Sequence, residues 1–292
     1  MTTVRLSLCN EVLAPMAFAQ QCDTAAALGY QGLEIAPFTL GEEPAAITAS
    51  QRADVRRAAR DAGIAVSSLH WLLRSPSGLS ITSADATVRQ RTLDIMRQQI
   101  DLCAELGGSV LVHGSPAQRR LPDQGEGVQA ARQRGIDAFA AVAQHAADAG
   151  VVYCIEPLAP PLDNFISTLE QAVAIIEAIG HPALRTMLDC YAAANAENES
   201  IADLITRWMP GGLLAHVQVN DDNLRAPGQG SLRFADILRA LQRQGYAGWI
   251  AVEPFEYIPD GPACAARAIG YLRGVLDGIE QPGQATSVHT PP

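Results

Sequence analysis

The stretch Gly150-Val151-Val152-Tyr153-Cys154-Ile155-Glu156-Pro157 has the pattern of a buried β-strand that ends in an acid. Its β-forming residues, bounded by Gly and Pro, are typical of a strand in a parallel sheet that is covered on both faces. Side chains alternate along a strand, so Val152, Cys154 and Glu156 share one face. Because an unpaired buried carboxylate costs several kcal/mol, we expect Glu156 to have a partner, such as a metal ion.

Three later apolar runs also end in oxygen-bearing side chains, namely Asp189, Gln218 and Glu253. The successive steps from Glu156 to Asp189, Gln218 and Glu253 are 33, 29 and 35 residues. One strand with its crossover helix takes roughly 30 residues or more, so four successive strands would present these oxygens at the same end. Carboxylate and amide oxygens favour one hard divalent cation, Mn²⁺ or Mg²⁺, whereas Zn²⁺ prefers Cys and His. The alternative interpretation is that these acids cap helices or pair with arginines.

Composition narrows the class of protein. The chain has 292 residues, of which 48% are hydrophobic, and a net charge of −10. It has no cluster of basic residues, which disfavours nucleic-acid binding and indicates a small-molecule partner. The first residues lack a signal-peptide pattern, and no apolar run approaches the roughly 18 residues of a membrane span. We therefore expect a soluble cytoplasmic protein with no membrane partner, and a homo-oligomer is compatible with the sequence.

The cysteine pattern also agrees with a cytoplasmic location. The six cysteines form no C-x-x-C pair and are scattered among predicted strands and helices. This usage is typical of reduced, buried thiols, so no disulfide is expected.

The chain repeats a unit of one strand and one helix. Glycines end six of the helical patterns just before a strand-like run, at Gly29, Gly63, Gly107, Gly150, Gly180 and Gly245. Strands are predicted near 4–9, 31–36, 64–70, 109–113, 151–156, 184–189, 213–219 and 249–253. Helices are predicted near 17–28, 48–62, 86–106, 127–148, 168–179, 198–208, 231–244 and 261–276. Eight such units predict an α/β fold, a single (β/α)8 TIM barrel over residues 1–280.

The helix starts and the chain end add detail. Ser167 and Glu170 form a capping-box pattern, and Ser83 with Asp85 offers caps before the helix at 86–106. The segment 281–292 has no periodicity, so we expect a disordered C-terminal tail.

Barrel enzymes build their sites at the C-terminal ends of the strands, which draws attention to other polar residues there. Alternation predicts that Glu34, His70 and His113 face inward at this rim. Neutral imidazoles of His70 and His113 would hydrogen-bond substrate hydroxyls or a carbonyl; the alternative is a pair of hydrogen-bonded core histidines. Glu34 is either part of the site or a structural acid that fixes a loop.

The seventh predicted strand offers two polar residues on one face, His216 and Gln218. Gln218 is nearer the C-terminal end and is the better ligand, which leaves His216 one layer below as a supporting donor or substrate contact. In the long polar loop that follows, Arg225 could bind an anionic or hydroxyl-rich substrate, or be a surface residue. Arg119 and Arg120 carry the same two interpretations. No phosphate-binding glycine motif occurs, so no nucleotide cofactor is indicated.

Over about residues 4 to 276, the chain resembles the xylose-isomerase-like barrel superfamily of sugar isomerases and epimerases, which includes ketose 3-epimerases, hydroxypyruvate isomerase and inosose dehydratase. The motifs that carry the resemblance are Ile155-Glu156-Pro157-Leu158, Asn164-Phe165-Ile166-Ser167-Thr168, Leu188-Asp189, His216-Val217-Gln218, Pro227-Gly228-Gln229-Gly230 and Val252-Glu253-Pro254. The resemblance implies that Glu156, Asp189, Gln218 and Glu253 bind one divalent metal ion. It also implies that Glu156 and Glu253 act as acid and base.

The chain departs from ketose 3-epimerases at three positions. Those enzymes carry a His where this chain has Gln218, a substrate-binding His where it has Ala192, and an Arg where it has Leu224. The glutamine is similar to that of the hydroxypyruvate isomerase branch. These departures imply a substrate other than a standard ketohexose.

The expected function is a metal-dependent isomerase or epimerase of a ketose, hydroxy-ketone or sugar derivative, working by proton transfer through an enediolate. A first alternative is a lyase or dehydratase acting on a keto-sugar or keto-inositol, in which His70 or His113 would protonate the leaving group. A second is a sugar-binding barrel without catalysis. A phosphodiesterase of the endonuclease type is disfavoured by the acidic charge and by too few His ligands for several zinc ions.

Overall fold

Eight parallel strands form a closed barrel in the computed structural model, which describes residues 4–125 and 127–280. The strands pair in chain order, and β8 pairs with β1 to close the ring. Their bounds are β1 Arg5–Cys9, β2 Gly32–Ile35, β3 Ala65–Leu69, β4 Val110–His113, β5 Val152–Ile155, β6 Leu184–Asp189, β7 Leu214–Val219 and β8 Trp249–Val252. The predicted (β/α)8 barrel is confirmed.

Helices surround the barrel and cover the outer faces of the strands. Their bounds are α1 Phe18–Leu28, α2 Ala49–Asp61, α3 Ala86–Leu106, α4 Gly127–Asp148, α5 Leu169–Ile179, α6 Cys190–Ala196, α7 Ile201–Trp208, α8 Phe234–Arg243 and α9 Gly261–Glu280. Short 3₁₀ helices follow β1, β2 and β4 at Asn10–Leu13, Pro37–Thr39 and Pro116–Gln118, and another lies at Pro44–Ala46. Within the described ranges, no helix combines the length and hydropathy that a membrane span needs.

The helix predicted at 198–208 is present as α7, which begins at Ile201, but the sequence prediction missed a further helix, α6, directly after β6. The Asp189 carboxylate accepts a hydrogen bond from the Ala192 amide at 2.7 Å, so α6 begins directly at the strand end. The backbone becomes extended at Glu197, and Ser200 caps α7 by accepting from the Asp203 amide. At Asp189 the strand-end acid thus caps a helix, as in the alternative interpretation of these acids.

Six of the other seven helix starts match the prediction within one residue, whereas α8 begins at Phe234, three residues after the predicted start at 231. Asp85 caps α3 by accepting from the Thr87 amide at 2.7 Å, as predicted. The cap of α5 is Thr168, which accepts from the Gln171 amide, and not the predicted Ser167. The predicted tail, 281–292, lies outside the described residues.

The core is divided between a small plug and a large outer layer. Val110, Val112, Cys154 and Met187 form the apolar plug inside the barrel. The larger cluster lies between strands and helices. All six cysteines are buried and free, as predicted. The functional residues lie beyond the plug, at the C-terminal ends of the strands.

Candidate active site

A cleft of about 240 Å³ opens at the C-terminal end of the barrel. Its floor holds four side chains that follow or end strands, His70, Glu156, Asp189 and Glu253. The remaining lining residues are Trp71, Gly114, Ser115, Pro116, Leu158, Leu162, Tyr191, Ala192, Leu224 and Phe255. Parallel strands bring these positions together because all their carboxyl ends meet at one rim.

Three carboxylates meet on this floor. Glu156, Asp189 and Glu253 each offer an oxygen atom within 4.8 Å of the others, and all three side chains are buried. Burial raises the pKa of Glu156 well above its ordinary value, and repulsion from Glu253 and Asp189 adds to the shift. Burial also raises the pKa of Asp189 to about 6 and that of Glu253 to about 8. The raised pKa values mean that the positive charge near the cluster is too small to keep all three carboxyl groups ionised, and a cation would supply more.

Asn220, just beyond β7, links the strand ends that carry Asp189 and Glu253. Its Nδ2 donates to Asp189 Oδ2 at 2.7 Å and to the Glu253 backbone carbonyl at 3.1 Å. Its Oδ1 accepts from the Tyr191 amide at 2.7 Å. Sequence reasoning placed Asn220 in a polar loop, although alternation from Gln218 would have placed it on the inward face.

Gln218 lies beside the carboxylates on β7, in register with Asp189 on β6. Its Nε2 donates to Glu34 Oε1 at 2.5 Å and lies 3.3 Å from His70 Nδ1. Its Oε1 is buried and has no hydrogen-bond partner among the described residues. An unsatisfied buried acceptor costs about 1–3 kcal/mol, so this oxygen is suited to a ligand or cation.

Glu34 anchors the layer beneath Gln218. Its carboxylate lies 2.6 Å from His216 Nε2 and accepts a hydrogen bond from the Ser68 hydroxyl. Burial alone would raise the pKa of Glu34, but His216 and His70 hold it well below the usual range. Glu34 is thus a charged, fully buried acid that fixes the orientation of the Gln218 amide.

His70 connects the floor to β1. Its Nδ1 lies 3.0 Å from Glu253 Oε1, and its Nε2 lies 3.0 Å from Glu11 Oε2. Burial lowers the pKa of His70, but Cys9 and Glu11 together raise it by more. The resulting pKa of His70 lies well above its ordinary value. Cys9, Glu11, His70 and Glu253 also meet the spacing of a metal site. In that set, Cys9, Glu11 and Glu253 all contact the His70 ring. Glu156 and Asp189 do not contact it, so the set of Glu156, Asp189 and Glu253 fits a cation better.

Three residues predicted to contact the substrate, His113, His216 and Arg225, do not line the cleft. His113 is fully buried, and its Nδ1 lies 2.7 Å from the Tyr153 hydroxyl, with Phe139 of α4 edge-on to its ring. It therefore faces the helix layer, and the expectation that it faces inward was wrong. His216 is also fully buried, one layer below Gln218 as expected, and contacts Glu34 and not the cleft.

The arginines are also engaged elsewhere. Arg225 does not line the cleft, and its Nε lies 3.2 Å from Glu256 Oε2. Arg119 is fully buried and pairs with Asp163 at 2.7 Å. Arg120 lies 3.6 Å from Asp123, and both side chains are exposed. In this structure, therefore, none of these three arginines is free to bind a substrate in the cleft.

The cleft also concentrates unusual backbone geometry. Three non-glycine residues among the described ones have left-handed backbone angles: Trp71 at φ 52°, Ser115 at 40° and Leu224 at 66°. All three line the cleft. Such conformations cost of order 1–3 kcal/mol and cluster at functional sites. Sequence reasoning missed them because no turn residue marks these positions.

Gly114 leaves room for the acid at the end of β5. A Cβ atom built on Gly114 would overlap Glu156 Oε2 and lie 3.1 Å from its carboxyl carbon. The backbone of Gly114 lies outside the left-handed region, so the space, and not the backbone angle, requires glycine.

Comparison with known proteins agrees with this architecture. The family model described as xylose isomerase-like TIM barrel matches residues 22–275. The D-psicose 3-epimerase of Agrobacterium fabrum is 28% identical over 246 residues, covering 82% of this chain and 79% of that protein. The 3-dehydroshikimate dehydratase of Pseudomonas putida is 26% identical over 250 residues, covering 81% of this chain and 36% of that protein.

Solved structures share the fold. The 3-keto-D-glucoside 4-epimerase from E. coli superposes with a TM-score of 0.80, covering 93% of this chain and all of that one at 22% identity. At this identity the likeness shows the fold alone. Because the family model spans most of the sequence, the chain belongs to the xylose isomerase-like TIM barrel family.

Proposed function

We propose that this protein is a divalent-metal-dependent isomerase or epimerase of a ketose, hydroxy-ketone or sugar derivative. The observation that carries the proposal is the cluster of Glu156, Asp189 and Glu253 at the floor of the cleft. Gln218, in register with Asp189, adds a buried amide oxygen that has no hydrogen-bond partner among the described residues. The sequence similarity to a D-psicose 3-epimerase supports the same reaction class.

The residues present fit a hard cation. Three carboxylate oxygens and one amide oxygen form the all-oxygen donor set that Mn²⁺ and Mg²⁺ prefer. Glu34 accepts from the Gln218 amide nitrogen, which leaves the amide oxygen as the free donor atom. A bound cation would supply positive charge that polarises a substrate carbonyl and makes the neighbouring carbon-bound proton more acidic.

In this proposal Glu156 and Glu253 are the acid and the base. Glu156 follows β5 and Glu253 follows β8, so they approach the cleft from widely separated strands of the barrel. One carboxylate removes the carbon-bound proton, and the other returns a proton to the opposite face of the same carbon, which inverts that carbon. If the proton is instead returned to the former carbonyl carbon and the hydroxyl proton moves to the former carbonyl oxygen, the carbonyl shifts to the neighbouring carbon. The contact between Glu253 and His70 gives Glu253 a route for proton exchange through Glu11.

The composition excludes a lysine Schiff base as another way to make the carbon-bound proton acidic. All 21 basic residues are arginines, so this chain offers no lysine for a Schiff base with the substrate carbonyl. Activation of the carbonyl must therefore come from hydrogen bonds or from a cation.

The similarity to a dehydratase favours a lyase as the second candidate. A lyase starts with the same proton removal and then expels water, for which His70 is the acid within the cleft lining. Product analysis separates the two. An isomer that retains every atom supports the first function, whereas an unsaturated product that has lost water supports the second.

Metal analysis tests the cation site. We expect the purified protein to bind one Mn²⁺ per chain after reconstitution, and Asp189→Ala to lose this binding because it removes a carboxylate ligand. Asp148→Ala, at an exposed acid on α4, is the control and should bind normally. The Asp189 variant also loses a helix cap, worth about 1 kcal/mol, so circular dichroism must confirm that it folds. A stoichiometry near zero in the wild-type protein, or unchanged binding in Asp189→Ala, contradicts the assignment.

A pair of substitutions on β7 tests the layer that binds the cation. Gln218→His should retain a divalent ion and shift its preference toward softer ions such as Zn²⁺, because imidazole replaces an amide oxygen. His216→Ala should leave the Mn²⁺ dissociation constant nearly unchanged, since His216 contacts Glu34 and not the carboxylate cluster. Isothermal titration with Mn²⁺ and Zn²⁺ measures both. The opposite pattern would show that His216 is the ligand.

The raised carboxylate pKa values predict how cation binding depends on pH. In the cation-free fold, Glu253 keeps its proton up to about pH 8, while the unfolded chain releases it near its ordinary pKa of 4.5. This group therefore destabilises the cation-free fold as pH rises through that window, and the cation binds the deprotonated form. The gain in melting temperature on adding Mg²⁺ should be larger near pH 8 than near pH 6, as measured by scanning calorimetry. A gain that is equal at both values, or larger at the lower one, contradicts the carboxylate assignment.

A further inference from the structure

The walls of the cleft differ in character from its floor. The acids and His70 lie at the floor, whereas the walls carry Trp71, Leu158, Leu162, Ala192, Leu224 and Phe255. No arginine is among the described residues that line the cleft. A substrate that reaches the floor must therefore pack the rest of its surface against aromatic and aliphatic side chains.

The arginines near the cleft have other partners. Arg119 is paired with Asp163 in the interior, and Arg225 is paired with Glu256. The Arg74 guanidinium carbon lies 5.2 Å from the centre of the Trp71 ring and 4.9 Å from that of Phe38. With no arginine among the described lining residues, a phosphate group held away from the floor would have no charge partner in the wall.

The apolar wall is fixed before a ligand arrives. The Leu224 carbonyl accepts hydrogen bonds from the Phe255 amide at 2.8 Å and the Glu256 amide at 3.0 Å. Phe255 meets Trp71 edge-to-face, with ring centres 6.5 Å apart. This links the segments that follow β3, β7 and β8, so little ordering is needed when a ligand binds.

Part of this wall is exposed in the free protein. Leu162 is 50% exposed and Phe255 is 43% exposed, although both are large apolar residues. Exposed apolar side chains grouped at the mouth of a cleft mark a surface that a ligand covers.

We propose that the substrate is an uncharged α-hydroxy-ketone that carries an apolar substituent on the carbons remote from the reacting carbonyl. The ketone end reaches the carboxylate floor, and the substituent packs between Leu162, Leu224 and Phe255. This inference rests on the proposed function for its reacting group, but the ligand class depends on the wall alone.

Calorimetric titration of the Mg²⁺-loaded protein tests the ligand class with three probes that share a hydroxymethyl ketone. They are 1-hydroxy-4-phenylbutan-2-one, D-xylulose and D-xylulose 5-phosphate. We expect the phenyl ketone to bind roughly 30-fold more tightly than D-xylulose, because its ring is removed from water. The phosphate should bind most weakly. Equal affinities, or the tightest binding by the phosphate, would overturn the inference.

Substitutions in the apolar wall test whether these side chains cause the preference for the phenyl ketone. Phe255→Ala and Leu162→Ala should each reduce the preference for the phenyl ketone by roughly fivefold or more. Ile258→Ala is the matched control, because Ile258 is 47% exposed but does not line the cleft, and it should change nothing. Leu224→Arg, which adds a cation to the wall, should strengthen binding of the phosphate. An unchanged preference in both wall variants contradicts the inference.

Deuterium exchange into the bound probes separates this inference from the proposed function. Tight binding of the phenyl ketone without exchange of any probe would contradict the proposed function and leave the ligand class standing. Exchange with D-xylulose as the preferred ligand would support the function and overturn the ligand class.

Discussion

Glu253→Gln and Glu156→Gln are each expected to lower turnover by roughly 10²-fold or more, the scale of a lost general acid or base. Each amide keeps an oxygen near the position of the original carboxylate but cannot accept a proton. Initial rates of isomer formation, measured with saturating Mg²⁺, give the effect. Both variants should remain folded, since replacing a buried carboxylate of raised pKa by an amide removes charge repulsion.

The control for these variants is Glu177→Gln, at an exposed acid on α5, which should keep the wild-type rate. Binding of Mg²⁺ by both site variants must be checked by titration, so that loss of the cation and loss of the base are distinguished. Normal turnover by both site variants would rule out the two-carboxylate mechanism even if the cation site is present.

Gly114→Ala is expected to lower turnover by about 10²-fold, because the added methyl group occupies the space of Glu156 Oε2. Misplacing a catalytic group by about 1 Å costs a factor of this size. The Mn²⁺ dissociation constant should rise as well, since the displaced carboxylate of Glu156 belongs to the cluster.

The matched control is Gly274→Ala on α9, where an added methyl group meets no atom within 4 Å. This variant should keep wild-type turnover and Mn²⁺ affinity. Wild-type values in Gly114→Ala would show that Glu156 can move without consequence, which contradicts its catalytic assignment.

The barrel could be predicted from the sequence because its signals are local. Apolar runs followed by helical patterns repeat eight times, and glycines after helices and polar residues at strand ends recur in most of these units. The cluster of Glu156, Asp189 and Glu253 followed from the same regularity, since equivalent strand ends meet at one rim. The register of Gln218 with Asp189 agrees with its expected height.

The direction of the side chains on β4 could not be predicted. His113 ends β4, and its neighbours Val110 and Val112 belong to the inner plug, so His113 faces the helices. The sequence alone does not show which alternate set of β4 residues faces the interior.

Contacts between distant segments were also missed. Asn220 holds the Asp189 and Glu253 segments, and Arg225 pairs with Glu256 across two loops. Such partners depend on loop paths that carry no periodic signal.

Deuterium exchange in the Mg²⁺-loaded wild-type protein tests the central claim most directly, because both the isomerase and the lyase begin by removing a carbon-bound proton. Nuclear magnetic resonance of ketoses, hydroxypyruvate, an inosose, 3-keto-glycosides and the phenyl ketone in deuterated water would follow the reaction. We predict exchange at one carbon next to the carbonyl in at least one compound, with an isomer accumulating on an intact carbon skeleton. The absence of exchange and of any product from every compound, in protein that has bound its cation, would contradict the account.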